Sequence, residues 1–326
     1  MNQEAPKSLS DAFLRSPGPR SFKNALMLTL KGICMGAADT VPGVSGGTIA
    51  LITGIYEDLL AAVKSVNAKM LARLVKLDIK GSLAELHLRF LLALFCGIGV
   101  AVVTIARIMN YLLHHHPQPT WSLFFGLIAA SIWVVGRKID RWTTGTGVSF
   151  LIGAAAAFQI VGLVPATTPE TLWFIFLSGF IAICAMILPG LSGAFILLIL
   201  GKYEFITATL KNPFDPVNIG IILIFLAGCA LGLAGFSRIL KYLLDAYHNL
   251  TLAFLTGLMV GSMRKIWPWK EALETKMVGG ESSVLREQNV MPEALNTDLL
   301  FAVGLMIIGF IAVIFLDRLS HAKTIG

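Results

Sequence analysis

Charge is scarce in this chain. Asp, Glu, Lys and Arg make up 14% of its 326 residues, whereas 56% are hydrophobic. A soluble domain carries about a quarter charged residues, so a soluble globule is excluded. Cysteine is also scarce, and Cys34, Cys96, Cys184 and Cys229 all lie in apolar segments without CxxC spacing. Such a set predicts small packing residues, not a disulfide framework or a metal site. His114, His115 and His116 are consecutive. Successive side chains on a helix turn by about 100°, so the three cannot converge on one metal. No metal site and no cofactor is expected.

The apolar residues gather into long runs: Phe90–Leu113, Trp121–Val135, Val148–Val164, Leu172–Leu188, Ile219–Phe236, Leu250–Val260 and Leu299–Leu316. Most are close to the roughly 17–25 residues that cross a bilayer of about 30 Å. The chain therefore reads as an all-α polytopic membrane protein. Its first stretch, MNQEAPKSLSDAFLRSPGPR, is polar and Pro-rich, which reads as a cytoplasmic tail (residues 1–21) and not as a cleaved signal peptide. A net charge of +7 would suit nucleic acid, but Lys and Arg concentrate in particular loops, as positive-inside topology requires. No nucleic-acid partner is expected.

Residues 39–56 read DTVPGVSGGTIALITGIY, and residues 189–203 read PGLSGAFILLILGKY. At an offset of 147 residues, Pro42, Gly43, Ser45 and Gly46 fall on Pro189, Gly190, Ser192 and Gly193. The match continues through Gly54/Gly201, Tyr56/Tyr203 and Glu57/Glu204. A second block aligns at an offset of 131, pairing Gly97/Gly228, Arg107/Arg238, Tyr111/Tyr242, Thr120/Thr251, Gly126/Gly257 and Ser131/Ser262. Two blocks in the same order identify two diverged copies of one unit. Repeat 1 covers 22–165, repeat 2 covers 166–317, and 318–326 is a second cytoplasmic tail. Each repeat is expected to hold a re-entrant helical hairpin, broken at 42–46 or 189–193, and three transmembrane helices. Three crossings per unit place the second copy upside down, the inverted-repeat plan of many secondary transporters. With the N-terminus inside, 16 Lys and Arg face the cytoplasm against 7 outside, so both termini are expected to be cytoplasmic.

The broken turns carry the chemistry. Pro ends a helix, Gly permits reversal, and Ser45 or Ser192 can N-cap the helix that follows. The amides of Gly46, Gly47 and Thr48, and of Gly193, Ala194 and Phe195, then lack intrahelical partners. A bare helix start in hydrocarbon is costly, and an anion is the favoured filler. The turns thus predict a phosphate-sized socket made by Ser45, Gly46, Gly47, Thr48, Ser192, Gly193 and Ala194. Asp39 fits two roles: a coupling site for H+ or Na+, or a cap on nearby amides. Its counterpart is Met186, so the role is not symmetrical. Arg107 and Arg238 fit either snorkelling to headgroups or phosphate binding at each mouth. Glu57 and Glu204 read as interfacial, with proton coupling as the alternative.

GICMGAADTVPGVSGGTIALITGIYEDLL, with its partner AMILPGLSGAFILLILGKYE, resembles the bacterial PopT-type membrane family, undecaprenyl phosphate translocases. The similarity runs from about Lys23 to Leu316. It implies recycling of the C55 lipid carrier in the inner membrane, its phosphate head moving from the outer to the cytoplasmic leaflet after cell-wall and glycan polymerisation. It marks Asp39–Thr48 and Pro189–Ala194, and it makes undecaprenyl phosphate or a related polyprenyl phosphate the expected partner alongside membrane lipids. Two alternatives stand beside it. A small-anion transporter or channel would use the same sockets with a narrow closed path. A lipid phosphatase or transferase would need a nucleophile with a base or metal, and none stands beside either Ser.

Overall fold

The computed structural model of the protein describes residues 8–40, 45–66, 70, 72–73, 76, 78–278, 281–292 and 297–321. Pro42 and Gly43 of the first turn lie outside them, as does much of the basic stretch between Lys64 and Lys80. The fold is mostly helical. In chain order the described helices are α1 (Leu9–Arg15), α2 (Phe22–Asp39), α3 (Gly46–Ile52), α4 (Tyr56–Ser65), α5 (Ile79–Glu85), α6 (Leu88–His115), α7 (Pro117–Gly136) and α8 (Thr144–Ile160). Then come α9 (Leu172–Ile187), α10 (Gly193–Ile199), α11 (Tyr203–Lys211), α12 (Pro216–Ala246), α13 (His248–Ser262) and α14 (Thr297–His321). Helix starts follow local chemistry. Ser21 caps α2, Thr143 and Thr146 form a capping box on α8, and Asp215 with Pro216 opens α12.

Four helices, α6, α7, α12 and α14, are long and apolar enough to cross a membrane; counting each bent pair as one span gives six. The bent pairs are α3–α4, at 116°, and α10–α11, at 111°. A single helix from Ser45 to Tyr56 is therefore not what forms. Gly54 (φ 73°) and Gly201 (φ 61°) take left-handed backbone at equivalent places, which ends each short helix and turns the chain aside.

The helices pair across close glycine contacts, and the pairs recur in both halves. A β-carbon at Gly32 of α2 would strike Leu94 O of α6, and one at Gly97 would strike Thr29 O. Gly179 stands in the same relation to Phe225 O, and Gly228 to Phe176 O, between α9 and α12. All of these residues correspond at the offsets of 147 and 131. The last helix of each half instead packs on the other half. Gly126 of α7 meets Met306 O of α14, as Gly257 of α13 meets Phe150 O of α8. Gly309 meets Leu123 O, as Gly153 meets Phe254 O. Small residues let helix backbones approach closely where no water drives association. The α7 and α13 helices are the most enclosed, with Thr120, Ser122, Ser131, Thr251, Thr256 and Ser262 all buried. Each of these hydroxyls donates back into its own helix turn, which satisfies it without a partner helix.

Two features depart from the all-α expectation of helices and plain tails. The loop after α13 forms an antiparallel hairpin, β1 (Lys270–Val278) with β2 (Glu281–Asn289). Trp267 pins it, stacking edge-on against Phe125 and donating Nε1 to Val290 O at 2.8 Å. Lys270 sits 4.3 Å from the Trp121 ring centre and 3.1 Å from Glu287, which Lys265 also approaches. Burial pushes the Glu287 carboxyl up, but the Lys270 and Lys265 ammonium groups outweigh it and hold the group below the ordinary carboxylate range. A depressed carboxylate stabilises above its unfolded value of about 4.3 and loses that contribution as pH falls through its folded value. Acidification below about pH 4 is therefore expected to loosen the hairpin, read as new pepsin cleavage between Trp269 and Met291. An unchanged digest would refute this.

The second departure is the N-terminal segment, which docks instead of trailing. Ser16 is fully buried; its Oγ donates to Leu86 O and accepts from Leu88 N at 2.8 Å. Arg89 Nε donates to Ser16 O at 2.8 Å.

Candidate functional site

The two broken turns meet. Ser45 Oγ donates to Leu188 O at 3.2 Å, Gly190 N donates to Thr48 Oγ1 at 3.0 Å, and Tyr56 Oη donates to Ile187 O at 3.0 Å. Ser45, Thr48 and Ser192 are 1%, 0% and 7% exposed, so the junction is buried. Its tightness is set by glycines. A β-carbon at Gly47 would lie 2.7 Å from Ile187 O, and one at Gly193 would lie 2.8 Å from Ala182 O. Gly190, at φ 87°, brings the second turn against Met259 of α13.

The two helix starts are not alike. In α3, Gly46 N donates to Asp39 Oδ1 at 2.7 Å, Gly47 N to Ser45 Oγ at 3.1 Å, and Thr48 N to Ser45 O at 3.0 Å. The expectation that these three amides lack partners does not hold. Asp39, the last residue of α2, reaches the first residue of α3 and supplies the negative charge itself. At 2.7 Å this is a short charge-assisted bond, the kind worth about 1.5–3 kcal/mol. In α10, Met186 stands where Asp39 does. Among the described residues, no hydrogen bond reaches the amides of Gly193, Ala194 or Phe195, or the Ser192 hydroxyl. Here the amides are unpartnered as expected, the expected Ser192 cap does not form, and the second start is the bare one.

The far ends of the short helices carry the opposite chemistry. Lys31 Nζ donates to Thr53 O at 2.7 Å and Lys138 Nζ to Leu51 O at 3.2 Å, placing two cations on the α3 C-terminus. At the end of α10, Ala166 N donates to Ile199 O and Thr168 Oγ1 to Leu200 O. Lys202, 2% exposed, then donates Nζ to Thr168 O between the rings of Phe174 and Phe205. The first hairpin thus closes on Lys31 of its own first arm and on Lys138 beyond α7, and the second on residues near its own beginning.

The other expected residues lie away from the turns. Arg107 is exposed on α6. Arg238 is exposed on α12, donating to Ala234 O at 2.8 Å and Val66 O at 3.4 Å. Glu57 is paired with Lys241 at 3.1 Å, and Lys241 also with Asp245 at 2.8 Å; Glu204 is exposed. Tyr56 belongs to the junction itself: it is 2% exposed and its hydroxyl holds the opposite turn. Its repeat partner Tyr203 is 41% exposed, so the pair shares a sequence position but not an environment. Thr48 was read for its amide; its hydroxyl is what joins the turns. Nothing local in the sequence announces either contact.

A family model described as undecaprenyl phosphate translocase-like matches residues 35–283, a span that contains both turns. The chain belongs to that family. It is 44% identical over 275 residues to a polyprenyl-phosphate transporter of Vibrio cholerae serotype O1, covering 84% of this chain and 88% of that one. It is 30% identical over 255 residues to a polyprenyl-phosphate transporter of Staphylococcus aureus, covering 73% and 85%. No solved structure matches. The family is one of membrane transporters and not of enzymes.

Proposed function

We propose that this protein carries undecaprenyl phosphate, or a related polyprenyl phosphate, across the bacterial cytoplasmic membrane. The lipid moves from the outer to the cytoplasmic leaflet, which returns the C55 carrier for cell-wall and glycan synthesis. The observation that carries this reading is the interlocked pair of turns, one start filled by Asp39 and the other bare. A buried junction with unpaired amides and an unpaired serine hydroxyl favours an anion, and a phosphate head of a lipid is the anion this family handles.

The phosphate is received by Ser192, Gly193 and Ala194. Ser45, Gly46, Gly47 and Thr48 join once Asp39 lets go of Gly46, so that a proton or Na+ taken by Asp39 is exchanged against the lipid anion. Arg107 and Arg238 meet the head at the two mouths. Glu57, tied to Lys241, and the exposed Glu204 are secondary coupling candidates. The inverted arrangement is supported by the paired glycine contacts and by the hydrogen bonds at the hairpin ends. The first hairpin closes near Lys31 and Lys138, and the second near Ala166 and Thr168. Between Lys138, at the end of the first hairpin, and Ala166, at the end of the second, lies one helix, α8, and one crossing is an odd number. Both termini lie in the cytoplasm on the charge balance.

The test is reconstitution in liposomes with a leaflet-specific reporter of undecaprenyl phosphate. The protein is expected to move the lipid; a homogeneous protein that moves chloride and not the lipid would overturn the reading. Asp39 separates capping from coupling. Asp39→Asn keeps an acceptor for Gly46 N and is expected to melt near the wild type, whereas Asp39→Ala should lose about 1.5–3 kcal/mol. Asp39→Asn should also transport about tenfold more slowly and ignore an imposed ion gradient, equivalent to about 1.4 kcal/mol on the barrier. Wild-type transport by Asp39→Asn would leave Asp39 as a cap only.

A further inference from the structure

The docked N-terminal segment closes one side of a cavity of about 410 Å³. Pro17, Gly18 and Pro19 form that wall. The strap is built into place: Gly18, at φ 142°, is pressed so closely on Arg89 and Phe90 that a β-carbon would lie 2.6 Å from Phe90 N. The other walls bring Asn24, Met27 and Lys31 from α2, Asp58 from α4, and His87 and Phe90 from the start of α6. Polar and apolar groups are therefore mixed in one partly open space, at the end of the molecule where the first hairpin closes.

Resting on the transport reading above, we propose that this cavity receives the phosphate monoester head of the polyprenyl lipid at the cytoplasmic side. Asn24 offers an amide donor and His87 an imidazole. Lys31, anchored on Thr53 O, contributes a fixed positive charge. Asp58 opposes the anion. With a neutral imidazole the cavity's charges, Lys31 and Asp58, cancel; with an imidazolium it carries one net positive charge. Burial holds the His87 imidazole below its ordinary value, with Asp58 acting the other way. Arg89 does not enter the balance, because it is not among the residues that line the cavity. A phosphate that arrives here therefore draws a proton onto His87. The tail has a place too. Met27, Leu28, Ile55 and Phe90 line the same cavity, so the first carbons of an isoprenoid chain meet apolar walls beside the head.

The experiment measures binding of farnesyl phosphate, inorganic phosphate and farnesol to the full-length protein in nanodiscs at pH 6 and pH 8. Farnesyl phosphate is expected to bind best. His87→Gln should weaken it about tenfold at pH 6 and shrink the pH 6 to pH 8 affinity ratio below that of wild type, a comparison that removes the ligand's own titration. Asp58→Asn should tighten it several-fold, an effect that a damaged fold does not produce. Inorganic phosphate binding as well as farnesyl phosphate would make this a free-phosphate site and overturn the lipid assignment. Farnesol binding equally well would reduce it to an apolar cleft, and unchanged affinity in both variants would also overturn it. If wild type moves undecaprenyl phosphate in liposomes while these variants bind normally, this inference alone fails. If wild type moves none, the transport reading fails.

Discussion

Met186→Asp is expected to stop lipid transport while leaving the protein folded. Position 186 precedes Gly193 by the same seven residues that separate Asp39 from Gly46, and Gly46 N is where the Asp39 carboxylate binds. A β-carbon at Gly193 would lie 3.3 Å from Met186 Cβ, so a carboxylate at 186 reaches the bare amides of α10. Met186 is 41% exposed, so a carboxylate at 186 turns toward the α10 amides without displacing packed side chains. The variant therefore fills the second start with an anion that cannot leave. Transport should fall more than about tenfold, at least about 1.4 kcal/mol on the barrier, with thermal stability equal to or above wild type. Normal transport by a folded Met186→Asp protein would remove the second turn from the phosphate path.

Gly126→Val and Gly257→Val should each unfold the protein or lower its melting temperature sharply, and by similar amounts. Each glycine lies so close to a carbonyl of the partner helix, Met306 O or Phe150 O, that no side chain fits without parting the helices. Overpacking of this kind costs about 1–3 kcal/mol, and more where backbone must move. Gly99 and Gly235 are the controls, because nothing lies within 4 Å of a β-carbon at either. Their replacement by Ala should be neutral or stabilising by up to about 1 kcal/mol, since Ala is the better helix former. A large loss at Gly126 with none at Gly257 would contradict the equivalence of the α7–α14 and α13–α8 pairs.

Asymmetry within a repeated scaffold is what the structure adds. The same turn sequence occurs twice, yet one copy satisfies its own amides and the other does not. One difference, Asp39 against Met186, accounts for the bond to Gly46. The Tyr56 and Tyr203 pair diverges in the same way, one buried on the opposite turn and the other at the surface. A protein that holds an anion and then releases it gains from one start that is occupied by its own carboxylate and one that is not.

The residues alone determined that this chain is a helical membrane protein made of two related halves, with a break followed by a short helix in each. Those features are local or repetitive, and run length, Pro-Gly punctuation and self-similarity report them directly. They did not reveal the strand hairpin at 270–289. Nor did they reveal that Tyr56 and Thr48 bind the opposite turn, or that the last helix of each half packs on the other half. Those were decided by tertiary structure. Glycine- and serine-rich helix faces fit many neighbours, and the distance along the chain between Thr48 and Gly190 leaves no trace in either segment's own pattern. Only the assembled bundle brings a carbonyl, a hydroxyl or a carboxylate within bonding reach and so chooses which amides are left open.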